Sequence, residues 1–296
     1  MKQKALVLGG KTGLVGQALA EVLRTSGWEV AAPGREDLDV RPDGPEGLEE
    51  RLKTLIDAAE PACVFNTIAH TRVDAAEDEP EAAALLNQGL PAALARIMQT
   101  RPGTTLVHFS TDFVFDGTKQ TPYTPQDQTA PLCVYGKTKL AGEEALLSLL
   151  PKDLPRCLII RTAWLFGPGR KNFVSTILQA CKDKPALNVV DDQVGSPTYT
   201  PDLAQYTLKL VEAGAGGIFH IVNSGQASWF ELAAEAVKLA RAECRVNPIP
   251  SSGYPQKARR PAYSVLGCAD LTRVTGIMPR AWPQALREYI ATLRQE

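Results

Sequence analysis

The sequence is short of nearly everything that marks a specialised class. It has no surplus of either charge: 32 basic residues against 33 acidic ones leave a net −1, which gives no electrostatic footprint for nucleic acid or an anionic membrane. No apolar run reaches the roughly 20 residues that a bilayer span needs. The first residues run into a strand pattern with no signal-type apolar region ahead of them. Histidines number three, and the six cysteines (Cys63, Cys133, Cys157, Cys181, Cys244, Cys268) are scattered. No C-x-x-C occurs, and no cysteine has metal-ligand spacing to His70, His108 or His220. These absences argue against a disulfide scaffold and a zinc site and point to reduced thiols in the cytoplasm. There is no internal repeat, low-complexity tract or flexible linker either. The expected partners are small molecules or other proteins.

What is present is an alternation of strands and helices, long enough at 296 residues for one large α/β unit or two that share a core. Lys4 to Gly10, KALVLGG, is a buried strand turning into glycines, and Leu14, Ala18 and Val22 then recur at helical spacing up to Gly27. Gly10, Gly13 and Gly16 form G-x-x-G-x-x-G at this first strand-to-helix turn. Such glycines allow a tight turn, close backbone approach to a pyrophosphate, and close packing of helix on strand at the positive helix end. The second strand, WEVAAPG, ends at the position that normally selects the cofactor. Arg35 there suits a 2′-phosphate, whereas Asp37 and Asp39 suit a ribose 2′-hydroxyl, so NADPH and NADH both remain open.

DLDV (37–40) reads as a further short strand and 48–59 as a crossover helix. CVFNTIAH (63–70) is a buried strand ending in small and polar residues, and 71–99 a loop and a long helix carrying Asn87. His70 reads as a structural hydrogen-bonder at a strand end, or as a lining of the site. The run 156–169 is counted as a sixth strand, and 172–182 is an amphipathic helix. The stretch 187–200 is short strands and turns. A helix follows with Thr200 as N-cap, Pro201 at its first position and Gly214 as stop. Ser228 and Glu231 form a capping box, and Arg259 and Arg260 lie in a proline-rich segment where they either meet solvent or clamp a diphosphate.

The stretch that organises the chain is 110–143, STDFVFDGTKQTPYTPQDQTAPLCVYGKTKLAGE. Thr111 falls at the carboxyl end of the strand LVHFS, and Tyr135 and Lys139 lie one turn apart on the helix that follows. A phenol of pKa about 10 is a poor proton-transfer group near neutrality. A lysine ammonium close by is expected to lower it, by about 3 units for some 4 kcal/mol of differential interaction, so that Tyr135 acts as general acid or base. Thr111 is then placed to hydrogen-bond the same substrate oxygen.

Together these features resemble the extended short-chain dehydrogenase/reductase superfamily. Within it, GGKTGLVG (9–16), TRVDAAE (71–77), STDFVFDG (110–117) and DDQVGSPTYT (191–200) are similar to the dTDP-4-dehydrorhamnose reductase family. YGKTKLAGE, RTAWLFG and RRPAYSVL extend the likeness over nearly the whole chain. The resemblance implies an α/β fold: a Rossmann-type doubly wound parallel sheet at 1–165, to which segment 190–223 returns, and a second, smaller α/β substrate domain made mainly of 166–296. It implies transfer of hydride from NADPH or NADH to C4 of a dTDP-linked 4-keto-6-deoxy sugar, with Thr111, Tyr135 and Lys139 as the catalytic set. Tyr135 would protonate the oxygen, and Lys139 would also grip the nicotinamide ribose. Cofactor contacts are expected from Gly10, Thr12, Gly13, Leu14, Val15, Gly16, Arg35, Asp39, Val40, Ala69 and Thr71 besides Tyr135 and Lys139. Substrate contacts are expected from Val73, Asp112, Phe113, Trp164, Gln193 and Arg260. The protein is expected to be a monomer or homodimer.

Three departures bear on these expectations. Phe113 stands where the family usually has a tyrosine, which removes one hydroxyl near the sugar. Thr67 and Ile68 replace small alanines beside the cofactor. Ala18 occupies the place of a carboxylate through which some members bridge dimers with magnesium, so no metal is expected. A sugar 4,6-dehydratase would need Asp-Glu after the threonine, and Asp112-Phe113 argues against it. A 4-epimerase uses the same tyrosine and lysine and is disfavoured only by the finer motifs. A non-catalytic regulatory subunit of this fold is the alternative of a different class, and the intact Thr111, Tyr135, Lys139 set favours an enzyme.

Overall fold

Six parallel strands form the central sheet, in the order β10-β5-β4-β3-β1-β2. The structure, a computed structural model, describes residues 2–34, 36–38, 40, 44–150 and 157–294. In chain order the first half runs β1 (Lys4–Leu8), α1 (Leu14–Thr25), β2 (Glu29–Ala31), α2 (Gly44–Ala59) and β3 (Cys63–Asn66). Then come α3 (Val73–Ala76), α4 (Pro80–Ala84), a π turn Leu85–Gly89, α5 (Leu90–Gln99), β4 (Thr105–Thr111) and α6 (Val134–Leu149). The second half has β5 (Cys157–Thr162), β6 (Leu165–Phe166), α7 (Phe173–Asp183), β7 (Ala186–Val190), β8 (Val194–Gly195) and β9 (Thr198–Tyr199). It closes with α8 (Thr200–Glu212), β10 (Gly217–His220), β11 (Ala227–Ser228), α9 (Trp229–Ala240), β12 (Arg245–Ile249), α10 (Ala269–Thr275) and α11 (Trp282–Leu293).

Alternate strand residues feed opposite faces, as the period of two requires. Val7, Phe65, Val107 and Ile160 meet α1 and α8 on one face, and Leu6, Val64, Leu106 and Ile159 meet α2, α5 and α6 on the other. Both faces are covered, which is why these strands read as continuous apolar runs. The chain goes from β1 outward to β2 and then back across to β3. A crevice opens at such a reversal, beyond the carboxyl ends of the strands.

Beyond this sheet the later strands pair among themselves. β7 pairs with β12, β8 with β11 and β6 with β9, while α8 and β10 return to the main sheet. A separate aromatic core of Phe166, Tyr199, Trp282 and Tyr289 lies under α7, α9 and α11.

The structure corrects three local expectations. DLDV is no strand among its described residues: Glu36 and Asp37 form a turn, and Leu38 and Val40 turn inward to the core. The run 157–162 is consequently the fifth strand. Tyr199, not Thr200, is the residue before the α8 helix, which begins at Thr200 with Pro201 second and no side-chain cap. The Ser228–Glu231 capping box is present as read, with Ser228 accepting from Glu231 N and the glutamate reaching back to Ser228 N.

Candidate active site

The β1-to-α1 turn is built for close backbone approach. Gly9 adopts φ +84°, a left-handed conformation that glycine takes without cost. A side chain on Gly16 would lie 2.4 Å from the Gly9 carbonyl oxygen, so the third glycine is what lets the helix sit on the turn. No acidic residue occupies the first turn of α1, and Gly13 caps it without a side chain. Its free N–H groups therefore face the crevice at the positive helix end. A cavity of about 470 Å³ opens there. Thr12, Gly13, Leu14 and Val15 line it from the turn, Val40 from beyond β2, and Ala69 and Thr71 from beyond β3.

The other expected cofactor residues lie differently. Gly10 and Gly16 pack inside the turn, the former against Val7 and Ala32, and Arg35 and Asp39 lie outside the described residues. Thr67 and Ile68 both line the cavity, and the Thr67 hydroxyl is spent on the Leu8 carbonyl at 2.7 Å. Leu38, Leu86, Leu165, Arg170 and Lys171 line it as well, none of them singled out from sequence.

On the strand next to β3, β4 ends in Thr111 and the chain turns through Asp112 to Val114 before α6 returns; Thr111, Asp112, Tyr135 and Lys139 are not among the residues that line the cavity. The Thr111 hydroxyl accepts from Phe113 N at 3.2 Å and donates to Asp112 Oδ1 at 3.0 Å. Ser264 donates to Asp112 Oδ2 at 2.6 Å and, through its backbone N, to the Val194 carbonyl at 2.8 Å. The segment after Arg260 is thereby tied both to the strand end and to the loop carrying Gln193. Asp112 is buried, and burial pushes its carboxyl up to about 6 despite the opposing hydrogen bonds from Ser264 and Thr111.

Two glycines let α6 lie close to its neighbours. A Cβ on Gly136 would meet the Phe113 carbonyl at 2.3 Å, and one on Gly142 the Asn87 carbonyl at 2.1 Å. Asn87 sits in the π turn, accepts from His70 N at 2.9 Å and donates to the Thr138 hydroxyl at 3.0 Å. The long helix expected over this region is thus interrupted where it touches the Tyr-x-x-x-Lys helix, a common place for a π turn.

Tyr135 is partly buried, with Phe113 edge-on to its ring at a centroid distance of 5.5 Å. Burial raises its pKa above the ordinary phenol value, the Thr111 hydroxyl offsetting part of the effect. The expected depression by Lys139 is not realised. The Lys139 amine donates to the Phe109 carbonyl at 2.5 Å and lies 3.3 Å from His108 Nε2, so it is engaged on the strand side of the helix. Lys139 is itself buried, and burial lowers its pKa to about 8, with Glu143 acting in the opposite sense. The phenol so held keeps its proton but is a weaker acid than an ordinary tyrosine, the reverse of the tuning expected from the sequence.

A buried ion pair underlies this helix. Arg161 on β5 holds Glu143 on α6 in a fork, at 3.0 Å from Nε and 2.6 Å from Nη2, and Ser110 hydrogen-bonds the same carboxylate. Trp164, next in line after β5, has φ +45° and stacks on Trp229 at 3.5 Å with 5° between the rings. Gln193 is buried, its amide donating to Gln256 at 3.1 Å. Val73 opens α3, and the next residue, Asp74, takes both arms of Arg260 at 3.0 and 2.9 Å. The Arg260 fork is therefore used on a carboxylate, which holds Asp74 below its usual pKa, and Arg259 is exposed.

A family model for the RmlD substrate binding domain matches residues 3–295. The chain belongs to that family. A curated dTDP-4-keto-6-deoxy-D-glucose reductase of Streptomyces niveus, 39% identical over 291 residues, is covered over 96% of its length by 97% of this chain. The solved dTDP-4-dehydrorhamnose reductase of Clostridium acetobutylicum is 35% identical with a TM-score of 0.90, covering 99% of this chain and 100% of its own. That of Bacillus anthracis, solved in complex with NADP, is 29% identical at the same TM-score of 0.90 and covers 99% of this chain and 100% of its own. Family membership agrees with the α/β architecture. Among the described residues, no helix is long and apolar enough to cross a membrane.

Proposed function

We propose that the protein is a cytoplasmic NAD(P)H-dependent reductase that converts the C4 keto group of dTDP-4-dehydro-L-rhamnose to the alcohol, giving dTDP-L-rhamnose. The observation that carries this reading is the gathering of Thr111, Asp112 and Tyr135 at the carboxyl end of β4, the strand next to β3, beyond which Ala69 and Thr71 line a cavity whose glycine turn and uncapped helix end suit a dinucleotide. The residues fit the cofactor because any side chain at Gly16 would fill the turn, and the helix end carries no competing carboxylate. In this reading Gly13, Leu14 and Val15 hold its diphosphate end, while Val40, Ala69 and Thr71 flank the rest. When bound, the reduced nicotinamide supplies the hydride that reaches the carbonyl carbon.

The chain's own residues do the remainder. In this reading the Thr111 hydroxyl turns its proton from Asp112 Oδ1 to the carbonyl oxygen, and together with Tyr135 it brackets that oxygen with two donors. As negative charge builds on that oxygen, Tyr135 releases its proton to it, and the new alcohol is complete. Asp112 and Ser264 fix the Thr111 side of the pair, and the Phe113 edge fixes the ring of Tyr135. We assign sugar contacts to Val73 and to the Trp164 and Gln193 loops. Arg260 contributes through Asp74. The division of labour we infer is a cofactor domain at 1–165, with segment 190–223 returning to it, and a substrate domain drawn mainly from 166–296. Its support is that β10 joins the main sheet while β7 pairs with β12 outside it.

A second reading keeps this site and changes the sugar. The Streptomyces relative is named for a 4-keto sugar of different configuration, and Phe113 removes a hydroxyl from the sugar side. Loss of NADPH or NADH absorbance is the test, with dTDP-4-keto-L-rhamnose and dTDP-4-keto-6-deoxy-D-glucose supplied separately. Faster oxidation with the first supports the proposal, faster oxidation with the second supports the other reading, and silence with both sinks the reductase assignment. Tyr135→Phe should lose nearly all turnover while still binding cofactor.

A further inference from the structure

Behind the Tyr135 helix lies a buried chain of hydrogen bonds that the reaction as described does not use. Ile68 N donates to Asn66 Oδ1 at 3.2 Å, which turns the Asn66 amide nitrogen toward His108 Nδ1, 3.0 Å away. His108 Nε2 then faces the Lys139 amine at 3.3 Å. Asn66, His108 and Lys139 are each exposed by no more than 1%. Hydrogen-bond direction follows from the first link. An amide N–H pointing at Nδ1 needs an acceptor there, so the single proton of a neutral imidazole must sit on Nε2. That N–H points at Lys139, and an amine can accept it only without its own extra proton. The reverse arrangement would require Asn66 to turn its NH₂ onto the Ile68 N–H, donor against donor.

We propose that His108, oriented by Asn66, is a positioning residue for the reaction: its Nε2–H holds Lys139 against the Phe109 carbonyl as a readily deprotonated amine, which regains its proton when cofactor draws it out. The inference rests on the reductase reading only for the cofactor step. The groups facing Lys139 agree with it. Glu143, one turn further along α6, is neutralised by Arg161 from β5 and is engaged by Ser110 from β4. Tyr135 in the preceding turn is a neutral phenol. Among the described residues no carboxylate stands within ion-pair distance of the amine. Burial and the neighbouring lysine hold His108 well below its usual pKa, and burial brings Lys139 down to about 8.

Two measurements on the whole protein test this. In nitrogen-15 spectra of the cofactor-free protein, His108 should stay neutral with its proton on Nε2, and Asn66→Asp, whose carboxylate accepts from Nδ1–H, should move the proton to Nδ1. A wild-type His108 protonated on Nδ1 would overturn the proposal, as would an Asn66→Asp spectrum with no tautomer change. The second measurement is the Lys139 ε-carbon titration. A midpoint near 8 in the wild type is expected, and one at the ordinary lysine value of about 10.4 would overturn the proposal. NADPH binding should then weaken about tenfold between about pH 7 and pH 9, with proton uptake seen as buffer-dependent heat. In Asn66→Asp the pH dependence should be flat. Affinity independent of pH in the wild type would refute the coupling, whereas failure to oxidise NADPH with any sugar would refute only the reductase reading and leave the spectra to decide.

Discussion

Removing the charge of Glu143 should be among the most damaging single changes that leave the outline of the site intact. Arg161 and Glu143 are exposed by 3% and 1%, and the guanidinium fork is satisfied almost wholly by this carboxylate, with a long 3.4 Å contact to the Pro125 carbonyl besides. Glu143→Gln keeps the shape and leaves a buried cation facing a neutral amide. Breaking a buried pair from one side costs about 3–5 kcal/mol, because the remaining charge is neither solvated nor compensated. At roughly 2–3 °C per kcal/mol for a chain of this size, the melting midpoint should fall by about 6–15 °C. Urea denaturation followed by circular dichroism gives the free energy directly. The double variant Glu143→Leu with Arg161→Met should recover most of the loss, since an apolar pair of similar volume avoids the desolvation cost. A single variant less than about 1 kcal/mol below wild type, or a double variant worse than either single change, would refute the argument. The same substitution removes the one group that raises Lys139, so the lysine should titrate below about 8 in the variant.

Asp112 should give stability a recognisable pH signature. Its pKa is raised in the folded protein from 3.8 to about 6, so between these values the folded state binds more protons, and stability falls as pH rises through that window. The shift corresponds to roughly 3 kcal/mol, and the difference between wild type and Asp112→Asn should open by about that much from pH 4 to pH 7. A constant difference would mean that Asp112 ionises normally. Gly16→Ala should abolish NADPH binding measured by fluorescence and cost about 1–3 kcal/mol, because the methyl would lie 2.4 Å from the Gly9 carbonyl; retained affinity would show that the turn can relax.

The sheet and the cofactor turn were legible because they are written locally. KALVLGG, CVFN and TLVHFS are apolar runs of strand length, and the glycine turn sits between a strand and a periodic helix. DLDV misled for a physical reason. Leu38 and Val40 alternate as strand residues do, but what they do is plug the core beside α2 while the backbone turns. Asn87, Gly89 and the following Pro91 are poor helix formers and marked an irregularity at Leu85–Gly89, but they did not specify a π turn, which forms where Asn87 reaches both His70 and Thr138. Arg161 and Glu143 did leave a trace, a charge inside the apolar run CLIIRT and another on the inner side of α6, yet each signal makes sense only beside the other.

The sequence by itself determined the chemistry available: a strand-end threonine, a tyrosine and a lysine one helical turn apart, and a glycine turn ahead of a helix, all of which depend on neighbours within a few residues. Tertiary structure decided how those groups are poised. It partly buried Tyr135 and so raised the phenol above its ordinary pKa, and it turned Lys139 away toward Phe109 and His108. It also spent Arg260 on Asp74 and tied Asp112 to Ser264. Such contacts span up to 186 residues of chain. Protonation state and hydrogen-bond direction depend on burial and on partners brought from other elements, and no local pattern carries that information.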